Sequence, residues 1–551
     1  MTWVRPVSCW VWIGKMGNLM VLGKWKGELS KMANEMVQNA AGRMVPKVVN
    51  GVEVIPFKGV NQHRPSGYGA AAPLASYADF KDGDKLMPDI RAALEQCGLR
   101  DGMTISTHHH FRDGDVIANM VFDAAAAMGV KDLRWFPSAS FPCHEPIVRH
   151  MENGVVHHIE GSLNGPIGMY CSQGKMRGTG VLRSHGGRFR AIRDGDVHID
   201  IAVMAAPTAD AFGNSNGMHG PSACGTLGYA LADSLYADKV IVATDNLVEV
   251  PCYPPWEIEG NRVDCVVEVE KVGIPEKILS GTTQITKSPN QLLIAEMAAR
   301  FVQEAQIMHD GFNFQAGAGG ISLAFVDFLH KFMKQAGIKA RLMTGGITDF
   351  SVRMLEAGDV DYLIDAQDFD LSGVKSIGQH ANHVPVSIYH LYDNHSKGNF
   401  MCYLDTVALG ATEVDVNFNA NVVTHSDGLL LHGIGGWQNC MFTKCTMLAM
   451  PSFRNRVPVI RDEVTTLVAP GELVDVVVTE RGLAINPRRE DLKEMMKKSS
   501  LPIRDIREIK EEVEGICGGP PAKPKLGDKV VAVIEWVDGT VLDSVYEVEN
   551  F

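Results

Sequence analysis

Four segments of this 551-residue chain carry residue types, at spacings, that can hold an anion or a reacting carbonyl. In residues 315–322 (QAGAGGIS), Gly317, Gly319 and Gly320 lie between a run with strand character and one with helical spacing. Glycines at such a junction let the backbone turn tightly and approach a ligand with no Cβ in the way. The helix that follows presents unpartnered amides and the positive end of its dipole. Together these suit a phosphate or a developing oxyanion. Residues 426–439 (SDGLLLHGIGGWQN) repeat the device with Gly433, Gly435 and Gly436. Residues 341–350 (RLMTGGITDF) do so with Gly345 and Gly346, and there Thr348 or Asp349 can cap the next helix. The fourth segment, HHHFRDGD, holds His108, His109, His110 and Arg112; SHGGR adds Arg188. A forked guanidinium suits a carboxylate. Three consecutive histidines cannot all face one ion, and no H-E-x-x-H pattern occurs, so no metal site is expected.

Between the first two glycine loops, Glu413, Asp415, Asn417, Asn419 and Asn421 alternate. An extended backbone puts them on one face, either solvated or lining a polar pocket. Beside two glycine loops, the pocket is the expectation. Other chemistries lack their signatures. There is no G-x-G-x-x-G and no P-loop Lys-Ser/Thr. No cysteine sits in an electropositive loop. What remains is acyl transfer to or from a carbonyl held by backbone amides.

The elements that must position these loops read as α/β. The run 103–107 predicts a strand, 116–128 a helix stopped by Gly129, and 133–139 a strand; Asp84 is a possible cap for the helix before them. The order strand, special loop, helix ending at glycine, strand returns at 311–344, which predicts two related domains with mainly parallel sheets. Their boundary is expected near residue 290. The expected organisation is a poorly ordered extension over 1–39, an extended Gly/Pro/Ala-rich arm over 40–83, a first α/β domain over 84–290 and a second over 291–551. Within 1–39, the Trp- and Gly-rich residues 1–31 read as upstream sequence before a natural start at Met32. Asp538-Gly539 between two alternating runs predicts a C-terminal β-hairpin, expected to be peripheral. A net charge of −13 disfavours nucleic acid. The 11 cysteines form no C-x-x-C pair and fit a reducing compartment. No apolar stretch reaches membrane-spanning length. The expectation is a cytoplasmic enzyme.

Taken together, GAGGIS, HGIGG and the intervening EVDVNFN resemble the family I coenzyme A transferases. LRDGMTISTHHHFRDGD, SHGGR, ADAFGNSNG, ACGTLGYA, GGIT and ERGLAINPRR are similar, within that group, to the alpha chains of bacterial citrate lyase, from about residue 40 to the end. The resemblance implies a coenzyme A transferase (NagB/RpiA-like) fold. It implies exchange of acetate for citrate on the thioester of an acyl carrier, in a hetero-oligomer with a beta chain and a gamma (carrier) chain. No cofactor would be bound covalently; the phosphoribosyl-dephospho-coenzyme A arm belongs to the carrier. Relatives in the wider group use a glutamate whose place falls at Thr344-Gly345-Gly346, where no carboxylate stands. A citrate carboxylate is therefore expected to attack the thioester itself, giving a citric–acetic mixed anhydride, with oxyanion donors from 317–320, 433–436 or both. Arg112, Arg188 and the His108–His110 loop, with His108 and His109 foremost, are expected to hold citrate or the arm's phosphates. The alternatives are a family I transferase for another small carboxylate, a non-catalytic scaffold of a lyase complex, or a sugar-phosphate isomerase or deaminase of related fold.

Overall fold

The computed structural model describes residues 35–67, 69, 85–252, 257–279, 284–317 and 319–549. The segment expected as upstream sequence, 1–31, lies outside the described residues, as do residues 70–84 with Asp84. Residues 36–38, expected within the poorly ordered extension, form a strand.

Two large sheets organise the chain, and seven neighbouring strands follow the same order in both. The first runs Gly180–Leu182, Val156–Gly161, Leu133–Pro137, Thr104–Thr107, Ile201–Ala205, Lys239–Thr244, Cys265–Glu268, Leu86–Met87, all parallel. The second runs His383–Pro385, Val360–Asp368, Ala340–Ile347, Phe312–Ala316, Thr406–Leu409, Thr446–Ala449, Val476–Thr479, with Gly482–Ile485 antiparallel at the edge. The strands are short apolar runs, buried on both faces as parallel strands require. The long helices close where the sequence stops them: Ile117–Ala127 is followed by Gly129 at φ 78°, and Gly320–Ala336 ends on Gly337 at φ 64°. The first helix among the described residues, Ile90–Gln96, is capped by Asp89, whose carboxylate accepts from the Ala92 amide; it starts later than an Asp84 cap implies because Leu86–Met87 is used as an edge strand.

The duplication extends to single hydrogen bonds. In the first half, Asp210 accepts from the amides of Phe212 (2.9 Å) and Asn214 (3.1 Å) and from Asn214 Nδ2, while Asn214 Oδ1 accepts from Gly260 N. In the second, Asp415 accepts from the amides of Asn417 (2.8 Å) and Asn419 (3.0 Å) and from Asn419 Nδ2, while Asn419 Oδ1 accepts from Gly471 N. The turn residue with positive φ is Gly213 in one and Phe418 in the other. The alternating polar strip is thus a turn that satisfies itself and ties down the strand-to-strand crossing beyond it.

The C-terminal hairpin forms as predicted, Leu526–Glu535 with Val541–Val548, but it is not peripheral. Leu526–Glu535 pairs in parallel with Gly180–Leu182 and extends the first sheet to ten strands. Trp536 is buried against Phe57 of the N-terminal arm, and Asn39 Nδ2 donates to the carbonyls of Val541 and Leu542. Residues of the N-terminal arm and the C-terminal hairpin therefore complete the first half, and the segment 291–551 does not stay in the second. One hydrophobic core runs through both halves, and a second lies between the helices Pro289–Glu304 and Gly320–Ala336 and the second sheet.

If the Asp415 turn secures this crossing, Asp415→Ala should destabilise the protein by about 2–3 kcal/mol, read as a lower urea midpoint, with Asp210→Ala behaving alike.

Candidate functional site

A cavity of about 1600 Å³ opens where the two halves meet. From the second half it receives Gly317, Gly319 and Gly320, and the turn Gly433 and Gly435; from the first it receives His109 and Arg112. These seven predicted residues are brought together from three segments.

The glycine loops divide the work unequally. The Gly317 amide is already spent on Ala408 O at 2.9 Å. Gly319 is the N-cap of the 17-residue helix Gly320–Ala336, with no side-chain cap, so the first-turn amides meet the cavity at the positive end of a helix dipole. In the other loop, Gly435 O accepts from His185 N at 2.8 Å, pinning it to the start of the helix His185–Asp194. A Cβ on Gly433 would lie 2.3 Å from Ser162 Cβ, so only glycine allows that approach. Gly436 packs against Tyr392 and does not line the cavity.

The first-half wall is made of imidazoles and an arginine. His109 Nδ1 is 2.6 Å from Ser138 Oγ, and its ring packs against Tyr229 (4.4 Å) and His185 (5.3 Å). Burial, reinforced by His185, pushes His109 well below its ordinary pKa; burial, then Arg188, pushes His185 down to about 3. Both are neutral donors at pH 7. Arg112, with φ 53°, stacks 4.3 Å over Phe369, and burial pushes its pKa down to about 10, leaving it charged. Gln367 Nε2 donates to His109 O at 3.0 Å, so the second half also fixes the histidine loop.

Other predicted residues stand elsewhere. Arg188 forks onto Asp233 (2.6 and 2.8 Å), and His108 Nε2 meets the same carboxylate at 2.9 Å. Burial alone would raise Asp233, but Arg188 and His108 overcome it and hold the carboxyl well below the usual range. This buried triad braces the floor and lies outside the cavity lining. Glu413 is buried in an ion pair with Arg461 and bonded to Thr465 and Asn421; Asn417 and Asn419 belong to the Asp415 turn. Gly345 and Gly346 lie behind the wall. A Cβ on Gly346 would fall 2.1 Å from the Phe369 ring. Ser138, Ser162, His185, Gln367, Phe369 and Trp437 line the cavity and were not singled out by sequence. His185 had a signal, since SHGGR opens a helix; Trp437 opens the short helix Trp437–Cys440, and the rest are ordinary residues at strand ends.

Residues 83–548 match the family model described as citrate lyase, alpha subunit. The chain belongs to the citrate lyase alpha subunit family. It is 40% identical to the citrate lyase alpha chain of Haemophilus influenzae over 85% of this chain and 93% of that one. It is 38% identical to that of Klebsiella pneumoniae over 88% and 96%. Among solved structures it is similar to an alpha subunit of citrate lyase from Streptococcus mutans in complex with citrate, 41% identical, with a TM-score of 0.89 over 93% of this chain and all of that one. A Pseudomonas malonate decarboxylase, 18% identical with a TM-score of 0.58, shares the fold. The chain is thus an enzymatic component of citrate lyase with coenzyme A-transferase-type chemistry, in which a coenzyme A-like carrier arm takes part. No helix among the described residues is long and apolar enough to cross a membrane.

Because His185 is held near 3 when folded and titrates near 6.5 when unfolded, the unfolded chain binds the extra proton between these values. Stability present at pH 7 is lost as pH falls through about 6.5. His185→Gln should remove this slope, so the wild type should lose up to roughly 2 kcal/mol more than the variant between pH 7 and 5 in urea titrations.

Proposed function

We propose that this chain is the citrate coenzyme A-transferase subunit of a citrate lyase complex and that citrate itself supplies the nucleophile. The observation that carries this reading is the stack Gly346–Phe369–Arg112. Where the wider transferase group places its glutamate, the backbone here has no room for a side chain: the Phe369 ring fills it, and the Arg112 guanidinium lies over that ring. A group that binds a carboxylate stands close to where a protein carboxylate would otherwise react. The carboxylates that do reach the wall are engaged in turns or lie at the rim: Asp113 accepts from Cys143 N, Asp427 from Leu429 N, and Glu549 is exposed at the hairpin's end.

In this mechanism Arg112 and the neutral donors His109 and His185 hold citrate. One citrate carboxylate oxygen attacks the acetyl carbonyl of the carrier thioester. The tetrahedral oxyanion is met by the first-turn amides after Gly319, worth on the order of 3–4 kcal/mol per donor. The C–S bond breaks, leaving the thiolate and a citric–acetic anhydride; the thiolate then attacks the citryl carbonyl and acetate departs. Holding both reactants in one cavity supplies the larger part, about 7–11 kcal/mol. The Streptococcus mutans relative was crystallised with citrate, which fits this assignment. The partners are the beta and gamma chains of the complex, and the phosphoribosyl-dephospho-coenzyme A arm is carried by the gamma chain. Its phosphates suit the basic groups of the lining, among them Arg454, Lys523 and Lys525.

Purified chain with acetyl-coenzyme A and citrate should yield citryl-coenzyme A and acetate. Arg112→Ala should raise the KM for citrate about 10- to 100-fold with a smaller effect on the thioester KM; an unchanged citrate KM would remove Arg112 from this role.

A further inference from the structure

Three residues that no sequence motif joined meet inside the second half. Asp365 and Asp368 lie on the strand Val360–Asp368, and His383 opens the neighbouring parallel strand His383–Pro385. All three are buried, and one ligand atom from each lies within 4.8 Å of the other two. Asp365 Oδ2, Asp368 Oδ1 and His383 Nε2 make no hydrogen bond. The other atom of each side chain is engaged: Gln367 N donates to Asp365 Oδ1 (2.6 Å), Thr226 N to Asp368 Oδ2 (3.3 Å), and His383 Nδ1 meets Ser376 Oγ (2.9 Å). Each side chain is thus held by one atom so that its remaining polar atom is left in a common space.

Two carboxylates this close in a buried site cannot both be ionised without a positive charge between them. Among the described residues, no lysine or arginine forms an ion pair with either; His383 Nε2, 3.6 Å from Asp365 Oδ2, is the nearby basic atom. A shared proton would serve the carboxylates alone. It leaves unexplained the imidazole, whose Nδ1 is fixed by a hydroxyl so that Nε2 is directed at the pair. That is how a second-sphere partner orients a metal-ligating histidine. We propose that Asp365, Asp368 and His383 form a buried site for a first-row divalent cation such as Mn²⁺ or Zn²⁺; two carboxylate oxygens and one imidazole nitrogen fit these ions, whereas Mg²⁺ favours oxygen donors and retained water.

The site would act by position. Asp368 reaches across to the first half, where a Cβ on Gly225 would fall 1.7 Å from its Oδ2, so the strap 217–228 lies directly on it. The residue before it, Gln367, holds the His109 carbonyl in the cavity. A cation here would fix the strand end that carries Gln367 and Phe369, and these are positioning residues for Arg112 and His109.

The full chain, purified without chelator from medium supplemented with Mn²⁺ and Zn²⁺, should contain about one equivalent of one of these metals by elemental analysis. Asp368→Asn and His383→Gln should lose it, while His198→Ala, which disrupts the exposed group His198, Asp200 and Asp238, should keep it. Wild-type protein with well under one equivalent would overturn the proposal and leave a shared proton only. So would metal retained in D368N and H383Q but lost in H198A. If the buried variants do not fold, retention by H198A assigns the metal to the buried site and loss refutes it.

Discussion

Everything at this site depends on two halves meeting backbone to backbone. A Cβ on Gly186 would fall 2.0 Å from Tyr392 O, one on Gly228 2.5 Å from Val386 O, and one on Gly433 2.3 Å from Ser162 Cβ. At this spacing main-chain groups pair directly across the join, His185 N with Gly435 O and Ile388 N with Gly228 O, and Gly186 N donates to the side-chain oxygen of Asn439. A buried backbone polar group left unpaired would cost about 1–3 kcal/mol. The relative position of the halves is therefore fixed by a set of bonds that tolerates little sliding, and the cavity between them inherits that precision.

The chemistry follows from what the join excludes. Burial keeps His109 and His185 neutral, so the wall offers hydrogen-bond donors without surplus charge, and Arg112 is the charged group beside them. The Arg188–Asp233–His108 triad neutralises itself beneath this wall and gives the loop a rigid floor, which is why an arginine suited to a carboxylate ligand binds a protein carboxylate instead. The Phe369 ring lies between the backbone at Gly346 and the Arg112 guanidinium; under the proposed mechanism a substrate acid is held there in place of an enzyme nucleophile.

Much of the fold was legible. Apolar runs between turn residues gave the parallel strands, Gly129 and Gly337 marked helix ends, and the repeated strand–loop–helix order disclosed the duplication. Local signals of this kind are carried by neighbours in sequence. What sequence could not show depends on partners far along the chain. The alternating strip from Glu413 to Asn421 looked like a pocket face, but Asp415 folds it onto itself within four residues. The hairpin looked detachable, yet its strand Leu526–Glu535 found an open sheet edge at Gly180–Leu182. Gly317 looked equivalent to Gly319 and Gly320, but its amide is taken by a neighbouring strand. Asp365, Asp368 and His383 come together only through the parallel register of two strands.

The central claim is that the attacking carboxylate belongs to citrate, and oxygen tracing in a single turnover tests it most directly. With the protein in excess over the acyl carrier thioester and citrate labelled with ¹⁸O in its carboxylates, direct attack makes a citrate oxygen the bridge of the anhydride. That oxygen leaves with acetate, so the acetate released in the first turnover should carry one ¹⁸O atom and the protein none. Unlabelled acetate together with ¹⁸O in a glutamate or aspartate of the chain would show that the protein supplies the nucleophile, and would contradict the account.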